Sequence, residues 1–460
     1  MHAPHFIGIG GAGMSGLAKI LTVRGAKVSG SDSKESETVL ALRELGAAVQ
    51  VGHAAENVPD GASSIVVSSA IRADNPELAA ARDRGIPVVH RSDALAALMG
   101  GRRALAVAGT HGKTTTTSML AVSLATLGLD PSYAIGGDLD APGSNAHHGT
   151  GEIFVAEADE SDRSFHKYAP EVAIILNVEL DHHANYASLD EIHDSFETFV
   201  RRIQPGGTLV VSADHPGARE LTARVVGRED LSVVTVGAAE DATVRVLSVV
   251  PRGMTSEVTV ELEGAELSFV VSVPGRHYAH NAVAALAAGI ALGVPAEELA
   301  EALGSYTGVR RRLQLKGEAA GVQVIDTYAH HPTEMAADLE AIREVAQGRV
   351  LVLFQPHLFS RTQQLSEEMG RALALADASV VLDIYPARED PIPGVTSELI
   401  IAAARAAGAD VTAEHEFAAA PALLAGMAKP GDLVLTMGAG DVTNLGPAIL
   451  KELGREEQGR

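Results

Sequence analysis

The chain has 460 residues, of which 46% are hydrophobic and 21% charged, and a formal net charge of −23. That is apolar material for roughly three domains of about 150 residues, and the acidic balance excludes a surface built to hold nucleic acid or an anionic membrane. There is no cysteine, which excludes disulfides, zinc–thiolate centres and thiol catalysis.

The opening residues, Met1-His-Ala-Pro-His-Phe6, enter a strand directly, with no basic segment followed by an apolar run. No stretch reaches the roughly 18 apolar residues of a membrane span. A cytoplasmic protein with no membrane partner is therefore expected. Phe6 and Ile7 lead into Gly8-Ile-Gly10-Gly11-Ala12-Gly13-Met14. Gly8, Gly10 and Gly13 satisfy the G-x-G-x-x-G spacing, and Ser15–Arg24 continues as a helix. A second strand over Ala26–Ser29 leads to Asp32, near the usual spacing for a ribose contact. Alone, this pattern fits a dinucleotide, another nucleoside diphosphate, or only a tight turn. Strands at Ser64–Val67 and Ile86–Val89 follow, and the first domain closes near Gly100, giving a unit over 1–100.

The central unit, 101–312, opens on the apolar run Ala104–Ala108, then Gly109-Thr110-His111-Gly112-Lys113-Thr114-Thr115, with helical spacing from Lys113 to Leu127. A strand feeding a glycine-rich turn and a helix N-terminus makes an anion site, because free N–H groups and the positive helix end face the loop. Lys113 would add a point charge for the β- and γ-phosphates of ATP, and Thr114 a hydroxyl for Mg²⁺. Val107 stands where the usual phosphate-loop pattern has glycine. The next strand, Glu152–Ala156, ends in Glu157, Asp159, Glu160 and Asp162, and Val172–Leu176 ends in Asn177, Asp181, His182 and His183. Glu157, directly after its strand, is the favoured magnesium ligand. His182 has either a metal or phosphate role or a structural one. Period-two alternation from Ala242 to Val273 predicts hairpins and a small antiparallel sheet. Gly275–Asn281 then caps an alanine-rich helix.

A hinge at Gly308–Gln314, containing Arg310, Arg311 and Arg312, leads into the third unit, 313–460. Apolar runs at Val322–Ile325, Val350–Phe354, Ser379–Leu382 and Leu433–Thr436 alternate with helical stretches, and Pro332 starts a helix over Thr333–Ala346. This predicts a second doubly wound α/β domain. Tyr328, His330, His357 and Arg361 gather at its strand ends, where Arg361 and His357 offer a clamp for an amino-acid carboxylate.

An ATP loop between two further α/β units points to joining two substrates. Amide formation from a carboxylate needs activation, and γ-phosphoryl transfer gives an acyl phosphate. Open alternatives are an NAD-dependent oxidoreductase and a nucleotide-gated binding protein.

Taken together, Gly8–Met14, Gly109–Thr115, Glu157-Ala-Asp-Glu-Ser-Asp162, Asn177–His182, Asn281, Arg311-Arg312, Tyr328-Ala-His-His-Pro-Thr-Glu334 and Phe354-Gln-Pro-His-Leu-Phe-Ser-Arg-Thr362 resemble the Mur ligase family over essentially the whole chain. Val107 in the phosphate loop is that family's shortened form. The resemblance implies an α/β fold of three domains: a Rossmann-like N-terminal domain, a central P-loop-type ATPase domain with a mostly parallel sheet plus a small antiparallel sheet, and a Rossmann-like C-terminal domain. It implies an ATP- and Mg²⁺-dependent ligase joining L-alanine to UDP-N-acetylmuramate for peptidoglycan synthesis, acting as a monomer or weak homodimer, with a peptide-recycling ligase as the nearest relative reaction. By resemblance, Gly10, Gly11, Ala12, Gly13, Met14, Ser15, Asp32, His53 and Ser69 would hold the UDP substrate. Gly109–Thr115, Asn281 and Arg312 would hold ATP, with Lys113, Glu157 and His182 catalytic and Thr114, Glu157 and His182 on metal. Tyr328, His330, His357 and Arg361 would line the L-alanine site. The chain departs from the family pattern at Thr327, Leu358 and Tyr278. It has no lysine between Lys167 and Lys316, in keeping with an alanine-adding branch that does without a carbamylated lysine.

Overall fold

The computed structural model describes residues 1–139, 144–181, 185–225, 227–387 and 389–458. His182 and His183 lie outside them. The chain forms two compact units, one of 1–249, 258–271 and 279–309, the other of 250–257, 272–278 and 310–460.

In the first unit, strands β1 (Pro4–Ile7), β2 (Ser29–Asp32), β3 (Ala48–Val51), β4 (Ser64–Val67) and β5 (Val88–His90) form a five-stranded sheet in the order β3-β2-β1-β4-β5. Every pairing is parallel. The sequence places the second strand three residues too early. Ser29-Gly-Ser-Asp32 has no β-branched residue, so its strand state comes from pairing on both sides rather than from propensity. Gly30 is required there, because a Cβ would stand 2.6 Å from the Phe6 carbonyl oxygen. The first helix, Ala12–Val23, begins inside the glycine loop, three residues before the expected start. The strand order reverses between β1 and β4, so the loops after these two strands, carrying Gly8–Gly13 and Ser69, share the crevice where open α/β sheets bind ligands.

A second sheet has ten strands: β6 (Arg103–Ala108), β7 (Ser132–Ala134), β8 (Ala146–His147), β9 (Ile153–Glu157), β10 (Val172–Ile175), β11 (Thr208–Ser212), β12 (Ser232–Gly237), β13 (Val244–Arg252), β14 (Thr255–Leu262) and β15 (Ala265–Val271). Their order is β15-β14-β13-β12-β11-β10-β6-β9-β7-β8. β6 lies between β10 and β9 and is parallel to both. It is the fully buried run Ala104–Ala108 that reads as continuous apolar sequence because both faces are covered. The expected hairpins are present at β13–β15, joined by two-residue connections that only antiparallel neighbours allow. They continue the parallel sheet through β12 instead of forming a separate one. One apolar core runs from Phe6, Leu17 and Val66 to Phe154, Phe165, Phe196 and Phe199.

In the second unit, β16 (Gln314–Ala319), β17 (Val322–Thr327), β18 (Val350–Phe354), β19 (Ala378–Val381), β20 (Val411–Ala413) and β21 (Leu433–Met437) are ordered β16-β17-β21-β18-β19-β20. All pair in parallel except the edge strand β16, which is antiparallel to β17. Pro332 occupies the first turn of the helix Pro332–Val345, where its missing N–H costs nothing. The side chains after β17, β18 and β21 therefore converge on one edge of the sheet.

Candidate active site

The phosphate-loop candidate is the link from β6 to the helix Lys113–Thr126. Gly109 has φ +139° and Gly112 φ +85°, and a Cβ on Gly112 would meet Asn281 Oδ1 at 2.8 Å and Leu176 Cδ1 at 2.9 Å. Asn281 thus packs on the loop from a helix that spans Arg276–Ala291 and lies inside it, not in a cap at its start as its sequence position suggests. Gly112 caps the helix Lys113–Thr126 without a side-chain bond, which leaves an uncapped, positive helix end. The loop is braced from β10: His111 N donates to Asn177 Oδ1 at 2.7 Å, Asn177 Nδ2 to the His111 carbonyl at 3.1 Å, and Glu179 N to Thr110 Oγ1 at 2.9 Å.

Lys113 Nζ donates to the Gly109 carbonyl at 2.6 Å, the Thr110 carbonyl at 3.1 Å and Glu160 Oε1 at 3.0 Å. Burial alone would lower its pKa, but the charges of Glu160, Asp159 and Glu157 outweigh that and raise it. Glu157 ends β9 opposite Val107 of β6 and accepts from Gly136 N at 2.6 Å. Thr114 and Thr115 sit in the first turn of the helix, Thr115 buried and Thr114 half-buried. Thr114 and Glu157 supply hard oxygen donors from neighbouring elements, a donor set that suits Mg²⁺.

The acidic loop after β9 is tied to the first sheet. Arg91 donates to Asp159 Oδ2 at 2.5 Å, and Ser69 Oγ to Asp162 Oδ2 at 2.8 Å. Burial would raise the Asp159 carboxyl, yet Arg91 and Lys113 hold it down at about 2. The Arg91 guanidinium also lies against the glycine loop, 3.2 Å from where a Cβ on Gly13 would stand. Of the residues expected around a UDP substrate, Gly11, Ala12 and Gly13 are exposed and Gly10 is half-buried. Met14 is 3% and Ser15 2% exposed. Ser15 Oγ accepts from Asn145 Nδ2 at 3.1 Å, so the Met14 side chain serves the core and Ser15 a contact with the central sheet. Asp32 Oδ2 accepts from Gly10 N at 2.8 Å and so fixes the glycine turn. His53 Nδ1 lies 2.9 Å from Ser31 Oγ, held by the fully buried Glu77, which also takes Ser31 Oγ at 2.7 Å, Asn57 Nδ2 at 2.9 Å and His5 Nε2 at 3.1 Å.

The second unit gathers the remaining candidates. Tyr328 and His330 follow β17, with ring centroids 5.4 Å apart, and His330 lies 5.9 Å from His357, which stacks on Tyr385 at 5.8 Å. Arg361 Nη1 is 3.3 Å from His357 Nδ1. His330 Nδ1 sits 2.9 Å from the Tyr328 carbonyl, which assigns the proton to that nitrogen. Burial drives its pKa down to about 3 against the pull of Glu334, with Arg361 adding to the fall, so the ring is neutral at physiological pH. Arg311 donates to the Gly438 carbonyl at 2.6 Å and the Gly440 carbonyl at 3.0 Å, and its guanidinium lies 4.8 Å from the Tyr328 ring centre. Arg312 stands 5.4 Å from the same ring and 3.7 Å from Glu334. The departures have local partners: Thr327 donates to buried Asp338, Leu358 adopts φ +74° ahead of the helix Phe359–Leu373, and Tyr278 is buried against His277.

Comparison with known families gives three matches in chain order: the model described as the Mur ligase family catalytic domain over residues 4–103, the Mur ligase middle domain over 107–289, and the Mur ligase glutamate ligase domain over 311–440. The chain belongs to the Mur ligase family. A UDP-N-acetylmuramate–L-alanine ligase of Streptomyces coelicolor is 77% identical over 456 residues, covering 99% of this chain and 98% of the relative. The crystal structure of the UDP-N-acetylmuramate–alanine ligase of Thermotoga maritima superposes with a TM-score of 0.84 at 29% identity, covering all of both chains. A murein peptide ligase of Psychrobacter arcticus shares the fold, with a TM-score of 0.74 at 24% identity over 99% of both chains. In this Mur ligase, Arg91, Asn145 and Tyr385 carry no signal in the sequence, and Glu160 stands there behind Glu157. Motif spacing gives no hint of the first three. For Glu160, the signal was its place in the acidic run, and only its burial, at 2% exposure, separates it from its neighbours.

Proposed function

We propose that this Mur ligase joins L-alanine to the lactyl carboxylate of UDP-N-acetylmuramate, with ATP converted to ADP and phosphate. What carries the reading is the conjunction of a lysine-bearing glycine loop on an uncapped helix end with full-length likeness to alanine-adding ligases. The first hundred residues would hold the uridine nucleotide through the backbone of Gly10–Gly13, with His53 and Ser69 beside it. Residues 101–312 would hold ATP. The N–H groups of the first helical turn and Lys113 would take the phosphates, and Asn281 would shape the loop. Residues 313–460 would hold the amino acid.

Mg²⁺, held by Thr114 and Glu157 with His182 on a second ion, would neutralise phosphate charge. The remaining work falls to the chain's own groups. Lys113 neutralises the γ-phosphoryl as it moves to the carboxylate and forms the acyl phosphate. Arg361 clamps the alanine carboxylate, neutral His330 accepts a hydrogen bond at Nε2 that orients the amine attacking the acyl carbon, and the proton the nitrogen then sheds leaves with the expelled phosphate. Collapse of the tetrahedral intermediate expels phosphate and leaves the amide. No helix among the described residues is long and apolar enough to cross a membrane, and we place the enzyme in the cytoplasm. The test is phosphate release from MgATP. Release that needs both UDP-N-acetylmuramate and L-alanine and yields a new amide supports the reading. Release that needs a tripeptide in place of alanine assigns the chain to peptide recycling, and no release with any acceptor leaves a nucleotide-binding protein.

A further inference from the structure

Lys113 is the group that has to meet the phosphates, yet three acceptors already surround its ammonium. Two are carbonyls of its own loop, Gly109 and Thr110, and the third is Glu160, whose oxygens lie at 3.0 and 2.9 Å. An ammonium has three protons to donate. A phosphate can take one only by displacing one of these partners.

The Glu160 loop is poorly placed to follow the lysine. Its carbonyl accepts from Tyr186 Oη at 2.6 Å and Arg163 N at 3.0 Å. Asp159 on one side is held by Arg91 and by Ser161 N at 3.0 Å, and Asp162 on the other by Ser69 and by Ser164 N at 3.0 Å. The lysine, on a flexible four-carbon stem, is the partner that moves.

We propose that Glu160 is a positioning residue that latches Lys113 against its own loop when no nucleotide is bound, and that nucleotide binding exchanges this carboxylate for phosphate. The proposal rests on the reading of 109–115 as an ATP loop. The exchange breaks the bond between Lys113 and Glu160 and leaves the carboxylate buried without its cation, so the latch opposes nucleotide binding and sets its affinity.

The test is a double-mutant cycle on the full-length protein, with equilibrium binding of MgADP as the readout, so that no turnover is needed. Glu160→Gln keeps the shape and removes the charge. It is expected to tighten MgADP binding about tenfold, the effect of one charge-assisted hydrogen bond of about 1.5 kcal/mol. In a Lys113→Ala background the same change should alter affinity less than about twofold, because the partner through which it acts is gone. Equal tightening in both backgrounds would make Glu160 a simple source of repulsion and overturn the latch, as would unchanged or weaker binding by Glu160→Gln. If Glu160→Gln does not fold, Glu160→Asp, which retracts the carboxylate by one methylene, should shift affinity in the same direction by a smaller factor; affinity at or below that of the parent overturns the proposal. Absence of MgADP binding by the parent protein would refute the ATP-loop reading itself.

Discussion

Replacing Glu77 by glutamine removes a charge that nothing in the reaction uses, and its effect can be worked out from the structure. The side chain is fully buried and meets His5, Ser31, Asn57 and the backbone N–H of Ala54. Burial alone would raise its pKa, but the hydrogen bonds from His5, Ser31 and Asn57 bring it from 4.5 to about 2. At about 1.36 kcal/mol per pKa unit, that fall is worth about 3 kcal/mol of folding free energy. Because the folded-state pKa is depressed, this contribution is fully present above about pH 4.5 and is lost as pH falls toward 2. Glu77→Gln should therefore destabilise the first sheet by about 3 kcal/mol at pH 7 and by much less near pH 3. Amide hydrogen exchange of Pro4–Ile7 and Ser29–Asp32 in the full-length protein reads this locally, without assuming that a multidomain chain unfolds in one step. A loss of protection equal at both pH values, or none at pH 7, would refute the reasoning.

Three further outcomes are expected. Gly112→Ala forces a Cβ onto a residue at φ +85° and into Asn281; the left-handed backbone alone costs about 1–2 kcal/mol, and binding of a fluorescent ATP analogue should weaken about tenfold or more. Glu157→Ala should raise the magnesium concentration needed for half-maximal turnover or abolish activity, and an unchanged magnesium titration would remove Glu157 from the metal. Arg361→Ala should raise the KM for L-alanine about tenfold to a hundredfold, the effect of a lost charge-assisted hydrogen bond of about 1.5–3 kcal/mol, with the KM for ATP little changed; steady-state kinetics with each substrate varied in turn would separate the two.

The sequence is most informative where local chemistry and local structure coincide. The buried strand β6, its glycine turn and its helix are legible because an apolar run, two glycines with positive φ and a helical spacing adjoin one another. Tyr328 and His330 on one segment and His357 and Arg361 on another meet because each segment follows a parallel-paired strand of one sheet, whose C-terminal edge collects them. Illegible features depend on partners far along the chain. β2 is a strand by virtue of β1 and β3, and β16 is an edge strand that owes its place to β17. The roles of Asp32 and Ser15 in fixing loops, and of Arg91 in binding the acidic loop to the first sheet, follow from contacts across 22 to 130 residues. Glu157 and Glu160 look alike in sequence. The strand end leaves the first half-exposed, and the turn after it buries the second against Lys113.

Activation of the carboxylate by phosphoryl transfer is tested most directly by isotope transfer. UDP-N-acetylmuramate labelled with heavy oxygen in its lactyl carboxylate would be turned over with MgATP and L-alanine, and the released phosphate analysed by mass spectrometry. An acyl-phosphate route places a carboxylate oxygen in the phosphate. Unlabelled phosphate, with the amide formed at the normal rate, would contradict it.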